Sequence, residues 1–277
     1  MTTGFCFSQD WKLSTGLPSG NYIQDVTSAT NSVYVVGMSA NDNNKSCILR
    51  SSDNGETWSL LCEVDGISAG KILVNNGRII LSGYANDGYV ICYSDDLGES
   101  WAQSQGVESQ YVSSSMCVCS DSLLASCGLP EDFHLYTSVD NGKNWNTSFS
   151  FPSECNVITA LSSYGNFLLA SYLSDNGPVF ICSSDSGKTW SLADVGVAFD
   201  LCSGVCADKT AFYVVGMNML ENHAMILKSA DGGKSFKKLE DMPEGIRIHN
   251  ISALDNGLFV IATDSAGNLL GMYRNIY

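Results

Sequence analysis

The segment SSDNGETW, residues 51–58, recurs four more times along the chain, and this repetition points to the fold. The later copies read SDDLGESW (94–101), SVDNGKNW (138–145), SSDSGKTW (183–190) and SADGGKSF (229–236). Their aspartates are Asp53, Asp96, Asp140, Asp185 and Asp231, which follow one another at intervals of 43, 44, 45 and 46 residues. A period of this length is typical of solenoids, propellers and arrays, and it has room for the four strands of a propeller blade.

Each copy has the chemistry of a tight turn between two strands. The aspartate accepts hydrogen bonds from backbone N–H groups just after it, and the glycine two residues later supplies a positive φ. Apolar runs such as CILR before Ser51 and YVICY before Ser94 precede the copies. We therefore predict that each copy joins the third strand of a blade to the fourth, and that the five aspartates are structural. Metal binding is the weaker alternative, because the copies lack the further carboxylates of a calcium loop.

These copies are similar to Asp-box (BNR) repeats, and the chain resembles the Asp-box β-propellers, of which the sialidases are the best known. The resemblance extends from about Tyr22 to Phe236. It implies a scaffold role for the repeats, because in that family they lie on the face opposite the active site.

The remaining segments complete a ring of six units. IRIHNISAL, LFVIATD and LLGMYRNI, after the fifth copy, supply three strands of a sixth unit. The segment DWKLSTG places Trp11 where the closing Trp or Phe stands in the other units. We predict an all-β fold, a six-bladed β-propeller with four-stranded antiparallel blades, whose ring is closed by the N-terminal strand completing the last blade. We also predict a single domain over residues 1–277.

The charge of the chain argues against two classes of partner. It has 14 basic and 29 acidic residues, a formal net charge of −15, whereas nucleic acids and anionic membranes are bound by clustered Lys and Arg. The chain has no run of about 18 apolar residues, so no transmembrane helix is predicted. The N-terminus lacks the basic and apolar regions of a Sec signal.

The 11 cysteines form a poor disulfide framework, because their number is odd and they are scattered over different strands. We expect reduced thiols and folding in a cytoplasm, with delivery into a host or a particle also compatible. No cofactor and no metal site are expected, and a monomer is predicted.

The sialidase reaction would need a cluster of arginines around the substrate carboxylate, with a Tyr–Glu nucleophile pair. The chain has only four arginines, Arg50, Arg78, Arg247 and Arg274. Of these, only Arg247 begins a predicted innermost strand. The chain therefore resembles the family without its arginine triad, and no catalytic residue is assigned.

The turns between second and third strands carry a second pattern. Each has an acidic residue at nearly the same place: Asp42, Asp87, Asp132, Asp175, Glu221 and Asp264. In a propeller these turns surround the channel mouth on the face opposite the repeats, where carboxylates would attract a basic peptide, a cation or an amino-bearing ligand. Tyr84, Phe133 and Tyr172 would add an aromatic platform for a peptide or a sugar ring. The alternative is that Asp is simply a good turn residue.

Fold alone does not select a function, because propellers host many unrelated activities. We predict a non-catalytic interaction propeller that binds a protein partner through the face opposite the repeats. The alternative is a glycan-binding propeller or a sialidase-like glycoside hydrolase that uses the same face.

Overall fold

The chain folds into strands joined by turns. The structure, a computed structural model, describes residues 11–14, 17, 22–29, 31–39, 42–197, 200–218, 223–241, 246–254, 257–264 and 269–276. In these residues, twenty-four strands form six sheets of four antiparallel strands each. No helix long and apolar enough to cross a membrane occurs in this described part of the chain.

The strands follow the predicted repeat unit by unit. Blade one contains β2 (Tyr22–Ala29), β3 (Ser32–Ser39), β4 (Asp42–Ser51) and β5 (Ser59–Asp65). Blade two contains β6 (Ile67–Asn75), β7 (Arg78–Ala85), β8 (Gly88–Ser94) and β9 (Ala102–Gln103). Blade three contains β10 (Val112–Cys119), β11 (Ser122–Leu129), β12 (Asp132–Ser138) and β13 (Asn146–Ser150).

The second half of the ring repeats this order. Blade four contains β14 (Val157–Tyr164), β15 (Phe167–Ser174), β16 (Gly177–Ser183) and β17 (Ser191–Leu192). Blade five contains β18 (Leu201–Ala207), β19 (Phe212–Asn218), β20 (His223–Ser229) and β21 (Lys237–Asp241). Blade six contains β22 (Ile246–Leu254), β23 (Gly257–Asp264), β24 (Leu269–Ile276) and β1 (Trp11–Leu13).

The sixth blade is closed by the N-terminal strand. Its sheet has the order β1-β24-β23-β22, with Trp11 opposite Asn275 and Leu13 opposite Tyr273. The backbone N–H of Ser14 extends this pairing to the carbonyl of Met272 at 2.9 Å. The predicted six-bladed propeller and its mode of closure are therefore confirmed.

The hydrophobic core is divided into six layers, each between two neighbouring blades. Ile48 of blade one and Leu81 of blade two meet in one layer, and Phe259 of blade six packs with Val35 of blade one in another. Second strands are covered on both sides, which explains why Ile79, Ile80 and Leu81 are apolar in succession and fully buried. Each such side chain contributes about 1.5–3 kcal/mol of transfer free energy, so the stability of a blade resides largely in contacts with its neighbours.

All six innermost strands contain a β-bulge at the same level. The pairing with the second strand skips one residue in each blade, and the skipped residues are Gln24, Gly70, Ser114, Thr159, Ser203 and His249. A bulge bends a strand and redirects its side chains. Repeated six times, it sets which side chains line the central channel and which turn toward its mouth.

The central channel is a polar cavity of about 230 Å³ lined by all six innermost strands. Its buried charge is Asp25, whose carboxylate accepts a hydrogen bond from the Ile72 N–H at 3.0 Å and lies 3.8 Å from the Lys71 ammonium. The Asn250 side-chain amide donates to the same carboxylate. Asp25 thus joins blades six, one and two at the place where the ring closes.

Candidate functional site at the channel mouth

The two faces of the ring are distinguished by their turns. In a four-stranded antiparallel blade, the turn between second and third strands lies at one end, and the other two turns lie at the opposite end. We call the end with the second-to-third-strand turns the mouth face. The other end, which bears the five copies of the repeated segment (the repeat turns), is the turn face.

The carboxylates of the repeat turns are used by the turns themselves. In the first copy, Asp53 Oδ1 accepts hydrogen bonds from the Ser51 hydroxyl at 2.7 Å and the Thr57 N–H at 2.9 Å. Asp53 Oδ2 accepts the Thr57 hydroxyl at 2.5 Å, and Ser51 Oγ accepts the Gly55 N–H at 2.8 Å. These bonds, led by the Thr57 hydroxyl, hold the pKa of Asp53 well below its usual range.

The other four copies reproduce this network. Hydrogen bonds from the Ser100 side chain and N–H lower the pKa of Asp96 to about 2, and Thr189 does the same for Asp185. Burial opposes the effect at Asp140 and Asp231, but hydrogen bonds outweigh it and bring both pKa values to about 2. Carboxylates held in this way fix the turn geometry and have little capacity left for a ligand.

Three arginines are also held at the turn face. Arg78 forms a two-point pair with Asp95 at 2.6 and 2.9 Å and donates to the Asn141 carbonyl at 2.6 Å. Arg274 donates to Glu56 and Arg50 to the Ser32 hydroxyl. The fourth, Arg247, is half-buried in β22 near its mouth end.

Three of the six predicted mouth carboxylates lie on described side chains, and all three are exposed. Asp87 lies in the β7–β8 turn, and Asp175 accepts a hydrogen bond from the Asn156 amide at 2.8 Å. Asp132 accepts the Tyr111 hydroxyl at 2.6 Å and contacts His134 Nε2 at 2.9 Å. The Tyr111 bond, with a smaller contribution from His134, lowers the pKa of Asp132.

The other three predicted carboxylates cannot be placed. Glu221 lies outside the described residues, and the side chains of Asp42 and Asp264 lie outside the described part as well. A complete acidic ring therefore stays a prediction. Asp87, Asp132 and Asp175 lie in or beside the mouth-face turns of blades two, three and four.

The predicted aromatic platform is reduced to one residue. Tyr84 is 56% exposed, whereas Phe133 and Tyr172 are 5% and 3% exposed. Phe133 and Tyr172 pack in the layer between blades three and four, so their rings are not presented to a ligand. A side chain at the end of a strand is directed inward or outward by the local register, which the sequence pattern did not settle.

The sequence reasoning missed three other apolar side chains of the mouth face. Leu129, at the end of β11, and Val157 and Leu201, at the starts of β14 and β18, are all exposed. Large exposed apolar groups near a cluster of charges are characteristic of interaction surfaces. Their position at strand ends facing the mouth was the available signal.

A cleft opens at the mouth between blades one, two and three. This mouth cleft has a volume of about 270 Å³, and its lining includes Met38, Gly70, Lys71, Tyr84, Tyr89 and Ser113. Lys71 also lines the central channel, so the cleft and the channel adjoin at this residue. Among the described residues, no group of three or more His, Cys, Asp or Glu side chains is placed to hold a metal ion.

The cysteines of the described part are free thiols, and nearly all are buried. Burial raises the pKa values of Cys92 and Cys117 to about 12, so these thiols stay protonated and act as small apolar groups.

Comparison with known proteins supports the fold. No family model and no curated protein matches the chain. Among solved structures, YCF48 from Cyanidioschyzon merolae has a TM-score of 0.58 and 14% identity, with 97% of this chain and 98% of that chain covered. A structure of YCF48 bound to D1 peptide has a TM-score of 0.59 and 13% identity, covering 95% and 85%.

Two further solved structures share the propeller. A nidogen/laminin complex has a TM-score of 0.63 and 14% identity, covering 85% of this chain and 86% of that chain. The Hadza microbial sialidase Hz136 has a TM-score of 0.65 and 14% identity, covering 92% of this chain and 65% of the sialidase. Identities this low support a common fold, and they leave activity and partner to be argued from the site itself.

Proposed function

We propose that the chain is a non-catalytic interaction propeller that binds a protein partner through the mouth face. The observation that carries the proposal is the composition of that face. Exposed carboxylates, Asp87 and Asp175 among them, lie on the same surface as exposed Tyr84, Leu129 and Leu201. Apolar contact area inside a charged surround is the usual composition of a protein-binding surface.

The distribution of charge supports a basic partner segment. Lys45 is paired with Glu63 at 2.8 Å and Asp65 at 3.3 Å, and Arg78 and Arg274 are paired at the turn face. The mouth carboxylates therefore keep much of their negative potential, which speeds the approach of a positively charged partner. Two similar propellers, one bound to D1 peptide and one from a nidogen/laminin complex, agree with use of this fold for binding peptides or proteins.

As part of this proposal, we interpret the repeat turns as Asp-box repeats. Their carboxylates are hydrogen-bonded within the turn, as a scaffold role requires. Arg50, Arg78 and Arg274 form their contacts at the turn face. This placement argues against a site at the mouth in which three arginines bind a substrate carboxylate. Both points favour binding over sialidase-like hydrolysis.

The test is selection of a random twelve-residue peptide library on the purified chain. We expect enrichment of peptides rich in Lys and Arg. The double variant Asp87→Lys, Asp175→Lys should bind the selected peptides at least about tenfold more weakly, a loss of close to 1.4 kcal/mol in binding free energy. The matched control is Glu99→Lys with Asp121→Lys, which changes the net charge equally at exposed positions near turn-face turns.

Equal losses in the two double variants would mean that net charge alone governs binding, and selected peptides without basic residues would also contradict the proposal. A glycan array probed in parallel addresses the alternative. Specific glycan binding or release of sialic acid, with no peptide enriched, would overturn the protein-binding proposal in favour of a carbohydrate function.

A further inference from the structure

The mouth cleft permits a more specific statement about the partner. We infer that the mouth cleft is a socket for one large apolar side chain, carried by a basic segment of the partner protein. This inference rests on the proposed function and names the chemistry of the segment that the mouth face takes.

The size of the cleft fits a single side chain. Its volume of about 270 Å³ lies just below the roughly 300–1,000 Å³ of sites that enclose a complete small molecule. Met38, Tyr84, Tyr89 and Val112 supply apolar lining, and Gly70 contributes backbone without a side chain. A Leu or Phe side chain matches such a surface in both size and polarity.

The exposed wall of the cleft is held in place before a partner arrives. The Tyr84 ring lies 5.0 Å from the Tyr89 ring at an interplanar angle of 87°, an edge-to-face contact. The Tyr89 hydroxyl donates to the Ser113 carbonyl at 2.9 Å, and the Ser82 hydroxyl lies 3.3 Å from the same phenolic oxygen. An aromatic surface that is already ordered loses little entropy on binding, and such residues dominate binding energy at interfaces.

The lining also offers a polar donor. The Lys71 ammonium, 3.8 Å from Asp25, lies at the junction with the channel. A carbonyl oxygen beside an inserted side chain would accept a hydrogen bond from this ammonium. The Ser113 hydroxyl is buried, and its polar neighbour is the Cys127 thiol, a weak hydrogen-bonding group.

The surround of the cleft selects positive charge. Asp87 is exposed in the turn that immediately follows the strand carrying Tyr84. Glu108 is exposed in the connection between β9 and β10, where the Ser109 carbonyl accepts a hydrogen bond from the Tyr89 N–H at 2.7 Å. An apolar anchor that enters the cleft therefore brings its flanking residues close to carboxylates, and Lys or Arg beside the anchor is favoured.

Gly70 provides a variant that fills the cleft without disturbing the fold. A Cβ placed there meets only the Ser82 carbonyl oxygen, at 4.0 Å, so Gly70→Leu introduces its side chain into open space. Gly83, by contrast, is unsuitable, because a Cβ would lie 2.2 Å from the Ser68 carbonyl oxygen. Tyr84→Ala removes the exposed wall, and Tyr84→Phe keeps the ring. Leu192→Ala is the control, an exposed apolar side chain on the outer strand of blade four.

The binding probe is a pair of fluorescein-labelled peptides, Gly-Lys-Arg-Lys-Phe-Lys-Arg-Lys-Gly and the same sequence with Ser in place of Phe. We expect the wild-type chain to bind the Phe peptide at least about tenfold more tightly, measured by fluorescence anisotropy. Gly70→Leu and Tyr84→Ala should abolish this difference, whereas Tyr84→Phe and Leu192→Ala should preserve it. Thermal melts verify that each variant is folded.

The outcomes separate this inference from the proposed function. Equal binding of both peptides, lost in the Asp87→Lys, Asp175→Lys variant, would overturn the socket and leave the acidic interaction face standing. Absence of binding by either peptide would overturn both. A shift of the Met38 methyl resonance on titration with sialyllactose, without one on titration with the Phe peptide, would assign the cleft to a sugar and overturn the apolar-anchor inference.

Discussion

One backbone position in each repeat turn requires a left-handed conformation. The residue before the glycine shared by the five repeat turns has a φ of 57° at Asn54, 60° at Leu97, 59° at Asn141, 60° at Ser186 and 80° at Gly232. Gly and Asn adopt this region at low cost, whereas Leu pays roughly 1–2 kcal/mol because its Cβ crowds the following carbonyl. Leu97 is also 50% exposed, so it gains little burial in return.

We expect Leu97→Asn to raise the free energy of unfolding by roughly 0.5–1 kcal/mol, because the strain at this position is relieved. The measurement is the midpoint of urea denaturation. The reverse exchange at the equivalent position, Asn54→Leu, is the matched control and should lower the midpoint. Changes in the same direction for both variants would show that the left-handed backbone is not the source of the effect.

At the scale of elements, the repeat turns connect neighbouring blades as well as neighbouring strands. Arg78, 7% exposed at the start of β7 in blade two, reaches the carbonyls of Asp140 and Asn141 in the turn of blade three. The Tyr93 ring lies 4.5 Å from its guanidinium carbon. The planar guanidinium thus serves four acceptor atoms at once, which a lysine ammonium is not shaped to do.

Arg78→Ala should lower the free energy of unfolding by about 2–3 kcal/mol, because two part-buried carbonyls lose a charged donor. Arg78→Lys should recover only a minor part of this loss. Arg50→Ala is the comparison, since Arg50 donates to a single Ser32 hydroxyl within its own blade, and its loss should cost less than about 1 kcal/mol. The free energy of unfolding of the three variants is measured by chemical denaturation. Equal decreases for Arg78→Ala and Arg50→Ala would exclude a role of Arg78 in connecting blades two and three.

At the scale of the whole molecule, the ring is completed where its two ends meet. The contacts at this junction lie at several heights: Asn250 with Asp25 near the channel, Ser28 with the Ala253 carbonyl at 2.9 Å, and Arg274 with the Asn54 carbonyl at 2.9 Å. The pairing of β1 with β24 covers the outer edge of blade six. An uncovered edge strand would offer free N–H and C=O groups to another chain.

Removal of residues 1–14 should lower Tm by roughly 5–10 °C, since a short strand contributes about 2–3 kcal/mol through its ladder hydrogen bonds. The truncated chain should also self-associate through the exposed β24, which size-exclusion chromatography with light scattering will detect. Removal of residues 1–10, which leaves β1 in place, is the comparison, and the difference between the two truncated chains gives the contribution of β1. A truncated chain with unaltered Tm and mass would show that β1 does not secure the ring.

Most of the fold was predictable because its signals are local and repeated. Each copy of the turn contains its own hydrogen-bonding partners, such as Ser51 with Asp53, so five copies at a nearly constant spacing specify five strand pairs directly. The candidate site was predictable only in part. Asp87, Asp132 and Asp175 are exposed at the mouth face, but Phe133 and Tyr172 are buried, and the mouth cleft was not foreseen.

The repeat turns, the number of blades and the strand that closes the ring follow from the amino-acid sequence, because turn chemistry and period-two patterns act over a few residues. The shape of the mouth follows from the packing of the folded blades. The bulges at Gln24 and Gly70, the junction of Lys71 with Asp25, and the hydrogen bond from Tyr89 to the Ser113 carbonyl combine strands of blades one, two and three. Such contacts depend on the register and twist of separate strands, which no local stretch of sequence specifies.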